Sequence, residues 1–203
     1  MKFTKFLNRE SKSEIVGNKQ INYRLVHWGT QWPSTSIFNG KIYIGNRFIR
    51  SVDSKTLKAI LAHEEYHALS LKPIALRLAI LAAIISSLIF LLGSIGEVFL
   101  LLITINLQYL YFGLLSLTFF GTIFGLLLYF IKYNERAGDM HACLLVGKSA
   151  VINSLKKLEE LKKTNKFKPS TPKLLYEVTH GKFEGRAEFV KNFNKPGSYK
   201  HTR

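Results

Sequence analysis

Leu78–Gly96 reads LAILAAIISSLIFLLGSIG, 19 residues without a charge, and Val98–Ile131 reads VFLLLITINLQYLYFGLLSLTFFGTIFGLLLYFI, another 34. Only Arg77 and Glu97 are charged in the 58 residues from Ile74 to Ile131. A bilayer crossing takes about 20 apolar residues, so two crossings fit, joined by a connector of about 15 over 94–109. A helix pair buried in a soluble core would keep a polar stripe, and Leu110–Ile131 has none. Gly113, Gly121 and Gly125 suit helices that pack in lipid. The block therefore reads as a two-helix transmembrane hairpin, 74–131, between polar arms 1–73 and 132–203.

Charge sets the orientation. The 203 residues hold 29 Lys+Arg against 13 Asp+Glu, a formal +16. The first arm carries 12 basic and 5 acidic residues, the apolar block 1 and 1, and the last arm 16 and 7. No Lys or Arg lies in 94–109, whereas Lys72, Arg77, Lys132 and Arg136 bracket the hairpin. By the positive-inside rule both arms face the cytoplasm, making this a multi-pass protein of the cytoplasmic membrane. The first twenty residues have basic side chains but no apolar core, so no signal peptide is expected. The excess charge suits the anionic headgroups of the lipid bilayer. It is scattered and accompanied by no binding motif, which argues against a nucleic-acid partner. At 47% hydrophobic and 21% charged the chain is not a disordered one. One cysteine, Cys143, excludes a disulfide framework and any multi-cysteine zinc site.

In the first arm, 21–33 reads as a strand ending at Pro33. Ile37-Phe38, Asn39-Gly40 and Lys41–Ile44 carry the signal of a hairpin with a two-residue turn. Asp53 or Ser51 can cap a helix presenting Leu57, Ile60, Leu61, Ala68 and Leu71. In the last arm a helix is expected over 132–147 and another over 149–163, with Val151, Ile152, Leu155, Leu158 and Leu161 on one side. The stretch 165–173 reads as a loop, and the chain from Asn192 onward as a frayed tail.

The chemistry lies in His63-Glu64-Glu65-Tyr66-His67, an HExxH sequence inside the capped helix. Residues four apart sit about 40° apart around a helix, so both imidazoles can bind one Zn²⁺ from one face. Glu64, one step round, can take a proton from a water at that metal without ligating it. Given its 6 His, a chain of this length and composition matches the pattern by chance roughly 0.01 times. Glu65 is charged at a position that zinc peptidases usually leave uncharged. A catalytic zinc site needs a third protein ligand and an open position. Glu135 and Asp139 are also four apart on one helix face, so one can ligate while the other orients a ligand histidine.

An HExxH helix, a membrane hairpin and then Glu135-Arg136-Ala137-Gly138-Asp139-Met140-His141-Ala142 resembles the HtpX and CAAX prenyl protease family of membrane zinc peptidases. That family carries ExxADxxA in this place, and here Gly138 replaces the alanine. Thr179-His180-Gly181-Lys182-Phe183-Glu184-Gly185-Arg186 is similar to its THPPxxxR segment, with Gly181-Lys182 in place of two prolines. The Ile37–Ile44 hairpin resembles the family's strand pair before the HExxH helix. The resemblance covers roughly 35–72 and 132–188. Members usually have two further membrane helices before the catalytic domain, which this chain does not show.

The resemblance implies an α+β fold: a mainly helical, zincin-like catalytic domain with a small sheet, interrupted by the hairpin. It implies a zinc metalloendopeptidase with one Zn²⁺ per chain, held by His63, His67 and Glu135. Glu64 would be the general base, Asp139 a support for the site, and His180 and Arg186 catalytic neighbours. The substrate would be an extended peptide laid beside the hairpin, with misfolded membrane proteins the implied source in a quality-control role. A second class of function is a non-catalytic zinc-containing membrane scaffold or sensor, its site closed by His141 or Cys143. By default His141 is a helix-surface residue, Cys143 a core residue, and His27 and His201 surface or tail residues.

Overall fold

The computed structural model describes residues 10–26, 33–36, 39–70, 74–104, 106–164 and 180–193. The expected loop 165–173, most of the tail, Ile37, Phe38, Leu71, Thr179, His27 and His201 lie outside them. The chain divides into two compact units, Met1–Lys72 with Lys132–Arg203, and Pro73–Ile131. The described residues are mostly helical, with one small sheet.

The first unit opens with strand β1, Ser11–Val16, paired antiparallel to β2, Lys19–Val26. Val16 faces Lys19 across a two-residue Gly17-Asn18 turn. Gly17 has φ +62°, and a Cβ there would lie 3.0 Å from the Leu145 carbonyl oxygen, so a side chain is disfavoured on two counts. β2 alternates as a half-buried strand should, with Ile21, Tyr23 and Leu25 inward. It runs parallel to β4, Ile42–Gly45, which pairs antiparallel with β3, Ser34–Thr35, giving the order β1-β2-β4-β3.

The expected hairpin forms with another register. A two-residue turn would pair Phe38 with Lys41, whereas Ser36 N–H donates to Lys41 O (3.0 Å) and Ser34–Thr35 form the first arm. The Asn39 side chain takes over the turn, accepting from Lys41 N–H at 3.0 Å and donating to the Tyr43 hydroxyl at 2.9 Å. Gly40 supplies the positive φ, +62°.

A short helix α1, Asn46–Ile49, leads to α2, Ser54–Ser70. Asp53 is the cap: its carboxylate accepts from Thr56 N–H at 2.7 Å and from the Thr56 hydroxyl at 3.1 Å. The Thr56 amide, helped by that hydroxyl, holds the Asp53 carboxyl below its ordinary value. Asp53→Ala should therefore cost about 1 kcal/mol at neutral pH. Because the folded-state pKa is the lower one, this contribution is full above the unfolded carboxylate value and disappears as pH falls through the folded one. Thermal melts of both proteins along an acid series would show the gap closing, and a constant gap would refute the cap.

Leu57, Ile60 and Leu61 of α2 enter one core with Val16, Ile44 and Phe48. Helix α5, Lys148–Lys163, adds Val151, Leu155 and Leu161, and helix α6, Phe183–Asn192, adds Phe183 and Val190. Cys143 is buried in this core as a free thiol.

The second unit contains helix α3, Ile74–Thr104, and the first part of α4, Leu107–Val146. Both are long and apolar enough to cross a membrane, with mean hydropathies of 2.6 and 2.1. Their apolar side chains are widely exposed, as at Leu102 and Leu126, and such a surface calls for an apolar surrounding. The 94–109 connector, whose form the sequence leaves open between a loop, an interfacial helix and longer helices, is mostly the ends of α3 and α4. No proline or charge cluster stops α3 before Thr104, and the Asn106 side chain accepts from Gln108 N–H at 3.0 Å to start α4. The helices approach closely at small residues: a Cβ on Gly113 would meet Glu97 Cβ at 3.3 Å. Hydroxyls of Ser87, Ser94, Thr118 and Thr122 bond back to the carbonyl four residues earlier. The helix expected over 132–147 is the C-terminal part of α4, which runs on without a break.

Candidate metal centre

Two helices of the first unit meet at the centre. Positions 63 and 67 of α2 share one face, and the two Nε2 atoms stand 3.0 Å apart. From α4, Glu135 Oε2 comes within 3.5 Å of His63 Nε2, and Oε1 within 3.5 Å of His67 Nε2. One donor atom from each of the three residues lies within 4.8 Å of the others, so the group can hold a metal ion. Ligand atoms about 2.0–2.1 Å from a tetrahedral ion are separated by about 3.4 Å, close to the observed spacings. Glu135 Oε2 is buried and accepts no hydrogen bond, which leaves it able to ligate a cation.

Asp139, one turn beyond Glu135, orients His63. Its Oδ1 lies 2.9 Å from His63 Nδ1, and a carboxylate only accepts, so Nδ1 keeps a proton and Nε2 is the atom able to ligate a metal. This contact depends on Gly138. A Cβ there would sit 2.8 Å from His63 Cε1 and 2.9 Å from Nδ1, so the glycine lets the imidazole lie on the α4 backbone.

Arg186, from the first turns of α6, ties the carboxylates together. Its Nε and Nη2 donate to Asp139 Oδ2 and Oδ1 at 2.8 and 2.6 Å, a bidentate pair, and Nη1 lies 3.0 Å from Glu135 Oε2. One guanidinium facing two buried carboxylates balances only one of their two negative charges. Burial alone would lower His63, but the Asp139 and Glu135 carboxylates outweigh it and raise its pKa to about 10. The same field that draws a proton to this imidazole draws a cation, and a metal binding there displaces the proton.

Glu64 is buried beside the ligands, and its Oε2 accepts from the Thr35 hydroxyl at 2.9 Å. Glu65 points elsewhere: His141 Nε2 lies 2.8 Å from its Oε2 and Lys19 Nζ 3.4 Å from its Oε1. That carboxylate, unusual for the motif, docks α2 onto α4 and the β1–β2 hairpin. His180 Nε2 stands 3.8 Å from Glu135 Oε1, half-exposed at the rim of the cluster. Gly181 turns the chain there with φ +76°. Proline, fixed near −65°, has no access to that conformation, so this turn differs from one built on two prolines.

The structure thus brings His63, His67, Glu135, Asp139, Arg186 and His180 into one cluster, with Glu64 adjoining. Thr35 and the Glu65–His141 contact had no local signal, because each joins residues dozens of positions apart. No protein-family model, no curated protein and no solved structure matches the chain.

Proposed function

We propose that the protein is a membrane-anchored zinc endopeptidase of the HtpX-like kind, with a zincin-like catalytic domain. The carrying observation is the His63–His67–Glu135 donor triangle with Glu64 on the same helix. Two histidines and one glutamate are a known donor set of catalytic zinc sites. Bound there, zinc would supply a Lewis acid for the peptide carbonyl and make an attacking water acidic near neutral pH.

Glu64 accepts the proton of the attacking water and passes it to the leaving amine nitrogen. Asp139 and Arg186 keep His63 and Glu135 aimed, and His180 donates toward the developing oxyanion. Neither residue that would close a scaffold site joins the triangle: His141 is engaged by Glu65 and Cys143 lies in the core. This favours an open, catalytic position over a closed scaffold site.

The flanks of 74–131 belong to one unit, so a membrane-crossing block must cross an even number of times. Two crossings fit, with the basic arms in the cytoplasm. Membrane-protein quality control is the role that fits a peptidase of this kind.

The detergent-purified full chain should hold about one zinc and cleave fluorescent casein in a chelator-sensitive manner. Glu135→Ala should weaken zinc binding at least ~10-fold and remove cleavage with it. A zinc-loaded wild type that leaves casein and unfolded membrane proteins intact would overturn the peptidase in favour of the scaffold or sensor.

A further inference from the structure

β3 is one of the two edge strands of the sheet, and among the described residues nothing pairs with its outer side. Ser36 N–H bonds inward to Lys41 O, and Thr35 faces Ile42 one position on. In an antiparallel ladder the backbone groups of successive residues alternate in direction. The Thr35 N–H and C=O therefore point to the open edge, where an extended peptide would pair with them.

The Thr35 side chain reaches the other way. Its hydroxyl lies 2.9 Å from Glu64 Oε2 and 3.1 Å from the Glu64 main-chain oxygen. A single hydroxyl proton between a residue's own carbonyl and carboxylate restrains that side chain to one rotamer. Oε2 is then the held oxygen, and Oε1 is left to receive a proton.

We propose that Thr35 is a positioning residue for Glu64, linking an extended peptide on the β3 edge to the carboxylate that handles the proton. This deepens the peptidase reading and rests on it. No motif marks Thr35, which lies outside the HExxH helix and reaches it only through the fold.

The test compares Thr35→Val, which keeps the β-branched shape but has no hydroxyl, with Thr35→Ser, which keeps the hydroxyl. On fluorescent casein, Thr35→Val should lower kcat about 10-fold with KM and zinc content unchanged, and Thr35→Ser should restore most of it. Melting temperature checks that each variant is folded. A second readout needs no turnover: infrared spectra of ¹³C-glutamate-labelled protein, with the Glu64 carboxylate band identified by its loss in Glu64→Gln. That band should shift in Thr35→Val and return in Thr35→Ser. A band indifferent to Thr35, or equal loss of kcat in the Val and Ser variants, would overturn the proposal. A responsive band in a wild type that cleaves nothing would leave the contact standing and remove the peptidase reading.

Discussion

Glu64→Gln should reduce casein cleavage by ~10²-fold or more while zinc content stays near one per chain. The substitution changes almost nothing but basicity. Glutamine keeps the length of the side chain, and its amide oxygen can still accept from the Thr35 hydroxyl, which in the native protein lies 2.9 Å from Glu64 Oε2. An amide, however, has no lone pair basic enough to take a proton from water. The candidate metal donors His63, His67 and Glu135 are untouched, so metal analysis and turnover separate the two roles. Full activity in this variant would refute Glu64 as the base, and loss of zinc would mean that it ligates.

The second large effect is expected at Arg186. Its guanidinium is buried and faces Asp139 at 2.6 and 2.8 Å and Glu135 at 3.0 Å. Arg186→Leu leaves two buried carboxylates without their cation, and breaking such a pair costs about 3–5 kcal/mol. The loss should be largest in the metal-free protein. A bound divalent cation replaces part of the missing positive charge and stabilises the folded state to which it binds. Thermal melts with and without zinc should therefore show a wider zinc-dependent gap in the variant than in the wild type. Arg186→Lys should fall between them, since lysine keeps the charge but not the fork that meets both Asp139 oxygens. Equal losses with and without zinc would refute the electrostatic account.

Whatever depends on near neighbours along the chain was legible from the residues alone. The apolar runs up to Thr104 and from Leu107 to Ile131 dictate long helices whatever they pack against, because neither holds a proline or offers a polar face. Asp53, three residues before Thr56, is a local cap, and the spacing of His63 with His67, and of Glu135 with Asp139, follows from the helical period alone. Local signals misplaced the junctions. The turn at Asn39-Gly40 shifted register because the Asn39 side chain found Lys41 and Tyr43, and the connector shrank because α3 met no stop before Thr104. The β1 strand, mostly exposed, carried no long apolar pattern to announce it.

Which polar groups meet across the chain is set by the fold. Glu65 and His141 are 76 positions apart, Arg186 and Asp139 are 47, and Thr35 and Glu64 are 29. No periodicity links such pairs. Each is selected because burial makes an unpaired carboxylate or guanidinium costly, so the fold that is stable is the one that pairs them. Gly138 shows the same division. In the sequence it is a small departure from an alanine, and in the fold it is the gap, 2.8 Å from a would-be Cβ, that His63 fills.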